Sequence, residues 1–173
     1  MADELRILHE RLPRVAAHNP RLETRLTRLL EACARLGTDV AEGETRGIHR
    51  DFYPDQVIVD GERLYLVDFD LYCAGDPALD IGNFLGHLTE QSLRVACDPH
   101  AFVDREAALE DQFIALAGDH QARARVRVYA ALTLVRHIEL STRFTERRAF
   151  TDALLSLSEV RVAQAYEPCS RTL

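Results

Sequence analysis

One stretch constrains this chain more than any other: Gly47 to Gly86, GIHRDFYPDQVIVDGERLYLVDFDLYCAGDPALDIGNFLG. Val57-Ile58-Val59 and Leu64-Tyr65-Leu66-Val67 are β-prone runs, and Asp60-Gly61 between them is a hairpin turn signal. The stretch therefore reads as a loop, a short hairpin, an acidic turn and a helix. A hairpin returns the chain to its starting point, so Asp51 and Gln56 before the first strand should meet Asp68 and Asp70 after the second. Carboxylate and amide oxygens gathered in this way suit a hard divalent cation that keeps water and phosphate oxygens as its other ligands. A two-stranded hairpin is not stable alone, so it is expected to pack on helices.

His49-Arg50-Asp51 followed by Gln56 resembles the protein-kinase catalytic loop, H-R-D-x-x-x-x-N. Val67-Asp68-Phe69-Asp70 resembles the D-F-G element, with Asp70 where glycine would sit. Gly75-Asp76-Pro77 and Asp80 are similar to the G-D-P-x-x-D segment of the aminoglycoside phosphotransferase and choline kinase-like family, as is Pro54 inside the loop. The resemblance covers about forty residues. It implies a mainly α fold with a small β-hairpin, the C-terminal lobe of a protein-kinase-like α+β fold. It implies ATP as phosphate donor, Mg²⁺ as cofactor and a small-molecule hydroxyl as acceptor.

Residue by residue, the resemblance makes Asp51 the catalytic base. It makes Asp68 and Gln56 the Mg²⁺ and nucleotide-phosphate ligands, with Asp70 a further metal ligand. His49 would pack beneath the loop and hydrogen-bond backbone, with Arg50 an exposed neighbour. Asp80 would brace the loop through its backbone amides. Asp76 and Asp80 have a second reading as caps at a helix start. Gln56 stands where the family usually has asparagine; its amide oxygen lies one carbon further out, and ligation then requires a shifted loop. Phe52, Tyr53 and Tyr72 lie near this site as pocket-lining or core residues.

The 173 residues suit a single domain: leading helices over 1–46, catalytic loop, hairpin and metal-binding turn over 47–76, and a helical subdomain over 77–173. No apolar run approaches the length of a membrane span, and the N-terminus carries mixed charge rather than a secretory core. The four cysteines, Cys33, Cys73, Cys97 and Cys169, form no C-x-x-C pair and read as reduced thiols in a cytoplasmic protein. The remaining histidines show no metal-ligand spacing. A net charge of −7 argues against nucleic acid and fits a cationic or neutral acceptor such as an amino-sugar or amino-alcohol.

All 21 basic residues counted as Lys or Arg are arginine. Kinases of this type hold ATP phosphates with a lysine on a small N-terminal β lobe, and this sequence has neither that lysine nor a G-x-G-x-x-G loop. The expectation is that the β lobe is absent from this chain. Two readings stay open. One is an ATP- and Mg²⁺-dependent phosphotransferase completed by a lobe from a longer protein or a partner chain. The other is a non-catalytic, kinase-like binding or regulatory module, with an exposed apolar surface at the hairpin or a homodimer that covers it.

Outside this stretch, helical periodicity predicts Asp3 to Ala17, with Pro13 expected to kink or split it. A second helix starts at Asn19-Pro20 and ends at a Gly37 cap, with Arg21, Arg25, Arg28 and Arg35 on a solvated face. Thr38 to Arg46 and Leu71 to Gly75 read as loops. Further helices are predicted over Pro77 to about Gln91, Phe102 to Ala117, Gln121 to Phe144 and Arg148 to Tyr166, the last seven residues being frayed. Gly82 and Gly86 lie four apart and suit a close helix approach.

Overall fold

The computed structural model describes residues 1–41, 43–119 and 121–166. Cys169, His120 and the tail expected to fray lie outside the described residues. Among the described residues six α-helices and four short strands follow in chain order: α1 (Ala2–His18), α2 (Glu23–Asp39), β1 (Arg46–Ile48), β2 (Val57–Asp60), β3 (Arg63–Leu66), β4 (Cys73–Gly75), α3 (Ala78–Ala96), α4 (Val103–Ala117), α5 (Ala122–Arg143) and α6 (Thr151–Ala165). Short 3₁₀ turns occupy Pro20–Leu22, Pro54–Gln56 and Thr145–Phe150. The fold is mainly helical with a small hairpin.

Helix α5 is the axis. Val126, Val128, Tyr129, Ala131, Leu132, Leu134, Val135 and Ile138 are all buried and surround it. A helix buried over most of its circumference belongs inside the molecule, and α1, α2, α3, α4 and α6 pack around this one. The larger core joins Leu8, Leu12 and Val15 of α1, Leu26, Leu29, Cys33 and Leu36 of α2, and Leu154 and Leu155 of α6 to α5. A smaller core joins Ile48 at the end of β1 to Ala78, Leu79 and Leu85 of α3 and Val126 and Tyr129 of α5.

Gly82 and Gly86 let α3 approach α5 closely. A Cβ built on Gly82 would lie 2.4 Å from Tyr129 Cβ and 2.8 Å from the Val126 carbonyl oxygen. On Gly86 it would lie 2.7 Å from Thr133 Cβ.

Several local expectations change. Pro13 does not split α1, because Leu8, Leu12 and Val15 anchor both of its halves in one core. Asn19 makes no cap bond to α2; its Nδ2 donates back to the Val15 carbonyl and closes α1. Gly37 lies within α2, which runs on to Asp39, and makes room for Leu5, whose Cδ1 would be 2.6 Å from a Cβ there. Arg21 and Arg25 are ion-paired with Asp152 and Glu159 of α6 rather than merely solvated.

Leu71 to Gly75 is only in part a loop. Its last three residues form β4, which pairs antiparallel with β1 through Gly47↔Ala74. The hairpin pairs Val57↔Leu66 and Asp60↔Arg63, so Gly61 (φ 58°) and Glu62 make the turn, one residue later than the sequence signal. The hairpin does not bury its side chains on helices: Val59 and Leu64 remain 67% and 69% exposed, and Ile58, Tyr65 and Leu66 are exposed beside them.

Candidate functional site

The loop between β1 and β2 is held at both ends. Asp80, in the first turn of α3, accepts from two successive backbone amides: His49 N to Oδ2 at 2.7 Å and Arg50 N to Oδ1 at 2.7 Å. Arg50 has φ 71°, a left-handed conformation costly for a residue with a Cβ. The paired bonds to Asp80 hold it there. Burial pushes the Asp80 carboxyl above its ordinary value, against the opposing pull of the His49 and Arg50 amides.

His49 is buried, and its Nε2 donates to the Val67 carbonyl at 2.8 Å. That bond ties the β1–β2 loop to the end of the hairpin, while Phe69 and Phe52 pack against the ring with centroids at 4.9 and 5.9 Å. Arg50 is not an exposed neighbour. It is half-buried, reaches Asp3 at 3.2 Å and Glu4 at 4.0 Å, and so fastens α1 to the loop.

The hairpin brings Gln56 and Asp68 together. The Val67 amide donates to the Gln56 carbonyl, and Gln56 Nε2 donates to Asp68 Oδ2 at 3.1 Å. Asp68, like Arg50, has a left-handed backbone, with φ 63°. Gln56 is buried, while Asp68 and Asp70 face solvent. Asp51 is half-buried and lines a cleft of about 500 Å³ with Tyr53, Asp55 and His87. The Tyr53 hydroxyl is raised in pKa, first by burial and then by the fields of Asp51, Asp55 and Asp68, so these carboxylates all bear on one point.

The donor set fits a hard cation. Asp68 keeps an oxygen free of the Gln56 bond, and the Gln56 amide carries a second oxygen. Among the described residues no group of three His, Cys, Asp or Glu side chains forms a metal cage of its own. Magnesium sites completed by phosphate oxygens do not require one. Asp76 is a cap: its Oδ1 accepts from the Ala78 amide at 3.0 Å, while Oδ2 lies 2.9 Å from Arg125 Nε.

Sequence reasoning missed the residues that support the site from below. Asn83, buried on α3, donates from Nδ2 to the Phe52 carbonyl at 3.2 Å. Its Oδ1 accepts from Arg136 at 2.6 Å and Thr133 at 3.2 Å. An asparagine on the inward face of an apolar helix was the available signal. Of the aromatic residues, Tyr53 lines the cleft and stacks on His87, Phe52 packs on Phe84, and Tyr72 is exposed.

His87 meets His137 edge-on at 4.4 Å. Burial pushes both imidazoles well below the ordinary value of 6.5, aided by Arg136 and Arg147. A depressed pKa means that the folded chain excludes protons that the unfolded chain takes up. Stability is then full above pH 6.5 and falls as the pH drops below it, by up to about 1.4 kcal/mol per pH unit for each ring. Chemical denaturation from pH 7.5 to 4.5 should show this slope, and His87→Gln should reduce it; an unchanged slope would rule out the buried neutral ring.

Among the described residues no helix is long and apolar enough to cross a membrane. No curated protein matches the chain. A solved structure of Plasmodium vivax ethanolamine kinase is similar to it at 15% identity and a TM-score of 0.42, over 86% of this chain and 40% of that one. The chain therefore spans well under half the length of that kinase. The family model of the phosphotransferase enzymes, APH, matches residues 1–129, which take in the braced loop, the hairpin and the first part of α5. The chain belongs to this phosphotransferase family.

Proposed function

We propose that the chain carries the catalytic half of an ATP- and Mg²⁺-dependent phosphotransferase acting on a hydroxyl of a small molecule. The observation that supports this most is the braced loop itself: Asp80 holds a left-handed Arg50, and the next residue, Asp51, faces the cleft. Strain kept in place by a dedicated partner is typical of sites where one side chain must be aimed.

Phosphoryl transfer demands positioning and charge neutralisation more than covalent help. Asp51 orients the acceptor hydroxyl and takes its proton. Asp68 and Gln56, with Asp70, hold the magnesium ion, which when bound neutralises the phosphate charge. His49 and Asp80 position and do not react. The nucleotide-binding lysine and glycine loop of such enzymes would come from a preceding segment or a partner chain.

One observation favours the second reading, a non-catalytic binding or regulatory module. Gln56 turns its amide nitrogen, a donor, toward the Asp68 carboxylate. A cation there requires the amide to rotate its oxygen inward.

Calorimetric titration of Mg²⁺·ATP into this chain and into Asp68→Asn tests the first reading. Saturable, Mg²⁺-dependent binding that falls at least tenfold in the variant supports the transferase. A folded chain that binds no nucleotide is either a fragment lacking its nucleotide-binding lobe or a non-catalytic relative, and a β-lobe coding region with a lysine strand upstream of Met1 distinguishes these.

A further inference from the structure

We propose that the acceptor carries an oxyanion, a carboxylate or a phosphate ester, received by Arg94 and Arg147 in the same cleft that Asp51 lines. This rests on the transferase reading, since it names the substrate class of that site.

Five arginines line the cleft, and their commitments differ. Arg136 is half-buried and engaged by Asn83 and Glu4. Arg50 is engaged by Asp3 and Glu4. Arg11 lies 3.9 Å from Glu139. Arg94 and Arg147 share a single carboxylate: Arg94 Nε lies 2.9 Å from Glu90 Oε1, while Arg147 reaches the same oxygen only at 3.9 Å. One carboxylate between two guanidiniums leaves a net positive charge. Both side chains are about one-third exposed and so reach the cleft solvent.

The wall beside them, His87 and His137, is neutral and adds no charge of its own. A guanidinium fork matches the paired oxygens of a carboxylate or phosphate. Asp51 and Asp55 line the cleft as well, but the carboxylate beside Arg94 and Arg147 is Glu90, which is nearly buried and already held by Arg94, so an ammonium group at this end would have to displace that arginine. The net charge of −7 points toward a cationic acceptor. Screening limits that distant charge to roughly 8–10 Å, and inside the cleft the nearest groups decide.

The test follows the arginine Nε–Hε resonances of the ¹⁵N-labelled full chain, without nucleotide or Mg²⁺. Acetate, methyl phosphate and tetramethylammonium are titrated separately. At least one of the two anions should move the Arg94 and Arg147 resonances saturably, and the tighter one names the source of the oxyanion. Arg147→Gln should weaken that binding about tenfold or more, Arg147→Lys should restore part of it, and Arg63→Gln on the exposed hairpin should leave it unchanged.

Neither anion moving these resonances would overturn the proposal. So would binding undiminished in Arg147→Gln, or tetramethylammonium binding that is lost in Glu90→Gln. Nucleotide takes no part in this titration, so its failure and the failure of the Mg²⁺·ATP titration are separate results.

Discussion

Replacing Asp80 with alanine should free the loop that carries Asp51 while leaving the helical body folded. Two charge-assisted hydrogen bonds end on this one carboxylate. Each such bond contributes about 1.5–3 kcal/mol, and its loss leaves an amide without a partner. Against this stands the burial cost of the charge, which is large enough to raise the carboxyl's pKa. Because the two effects oppose, global stability should fall by only about 1–2 kcal/mol. The local effect is larger. Arg50 loses the contact that maintains φ 71° and should relax.

Amide hydrogen exchange reads this directly. Protection at His49 and Arg50 should fall about a hundredfold in Asp80→Ala, with the interior of α5 much less affected. Equal loss across the whole chain would make Asp80 a stability residue. Unchanged protection at both amides would remove it from the loop's support altogether.

Gly82→Ala should destabilise the whole molecule, against the usual trend. Alanine is favoured over glycine in a helix by about 1 kcal/mol. Here its Cβ would meet Tyr129 Cβ at 2.4 Å and backbone atoms of Ala130 and Val126 at 2.8 Å. Backbone cannot swing aside as a flexible side chain can, so α3 and α5 must separate. Overpacking of this kind costs typically 1–3 kcal/mol and occasionally more. The net loss should be about 2 kcal/mol, a fall in the thermal midpoint of roughly 4–8 °C for a chain of this size.

Gly118 is the matched control, because a Cβ there meets nothing within 4 Å and only its φ of 63° is strained. A raised midpoint in Gly82→Ala would refute the close approach. The substitution also reaches the site: Asp80 lies two residues earlier on the same helix, so a shift of α3 displaces the loop's brace.

The meeting of the loop with the end of the hairpin was legible in the residues because it is local. His49-Arg50-Asp51, Gln56 and Asp68-Phe69-Asp70 lie on either side of a turn signal, and β-pairing alone brings Gln56 to Asp68. The Asp80 brace was legible only through the family resemblance, since no periodicity links a helix's first turn to a loop thirty residues earlier. Gly82 and Gly86 announced a close contact by spacing, but not with which helix.

Other features were hidden because their cause is long-range. Gly37 carried a cap signal, yet Leu5 of α1 determined its role. Arg25 looked solvated, yet it reaches Glu159 across more than a hundred residues. The two apolar strands suggested a packed hairpin, whereas the described residues leave its side chains exposed.

By itself, then, the sequence determined the helical character, the presence of the hairpin and the approach of Gln56 to Asp68 across it, since each follows from neighbours within a few positions. The tertiary structure alone decided that α5 is the axis, that Arg50 binds α1 and that Asn83 supports Phe52. It also decided that arginines from α3 and from the turn before α6 face one cleft. Those outcomes depend on which surfaces exclude water together, and burial is a property of the assembled chain.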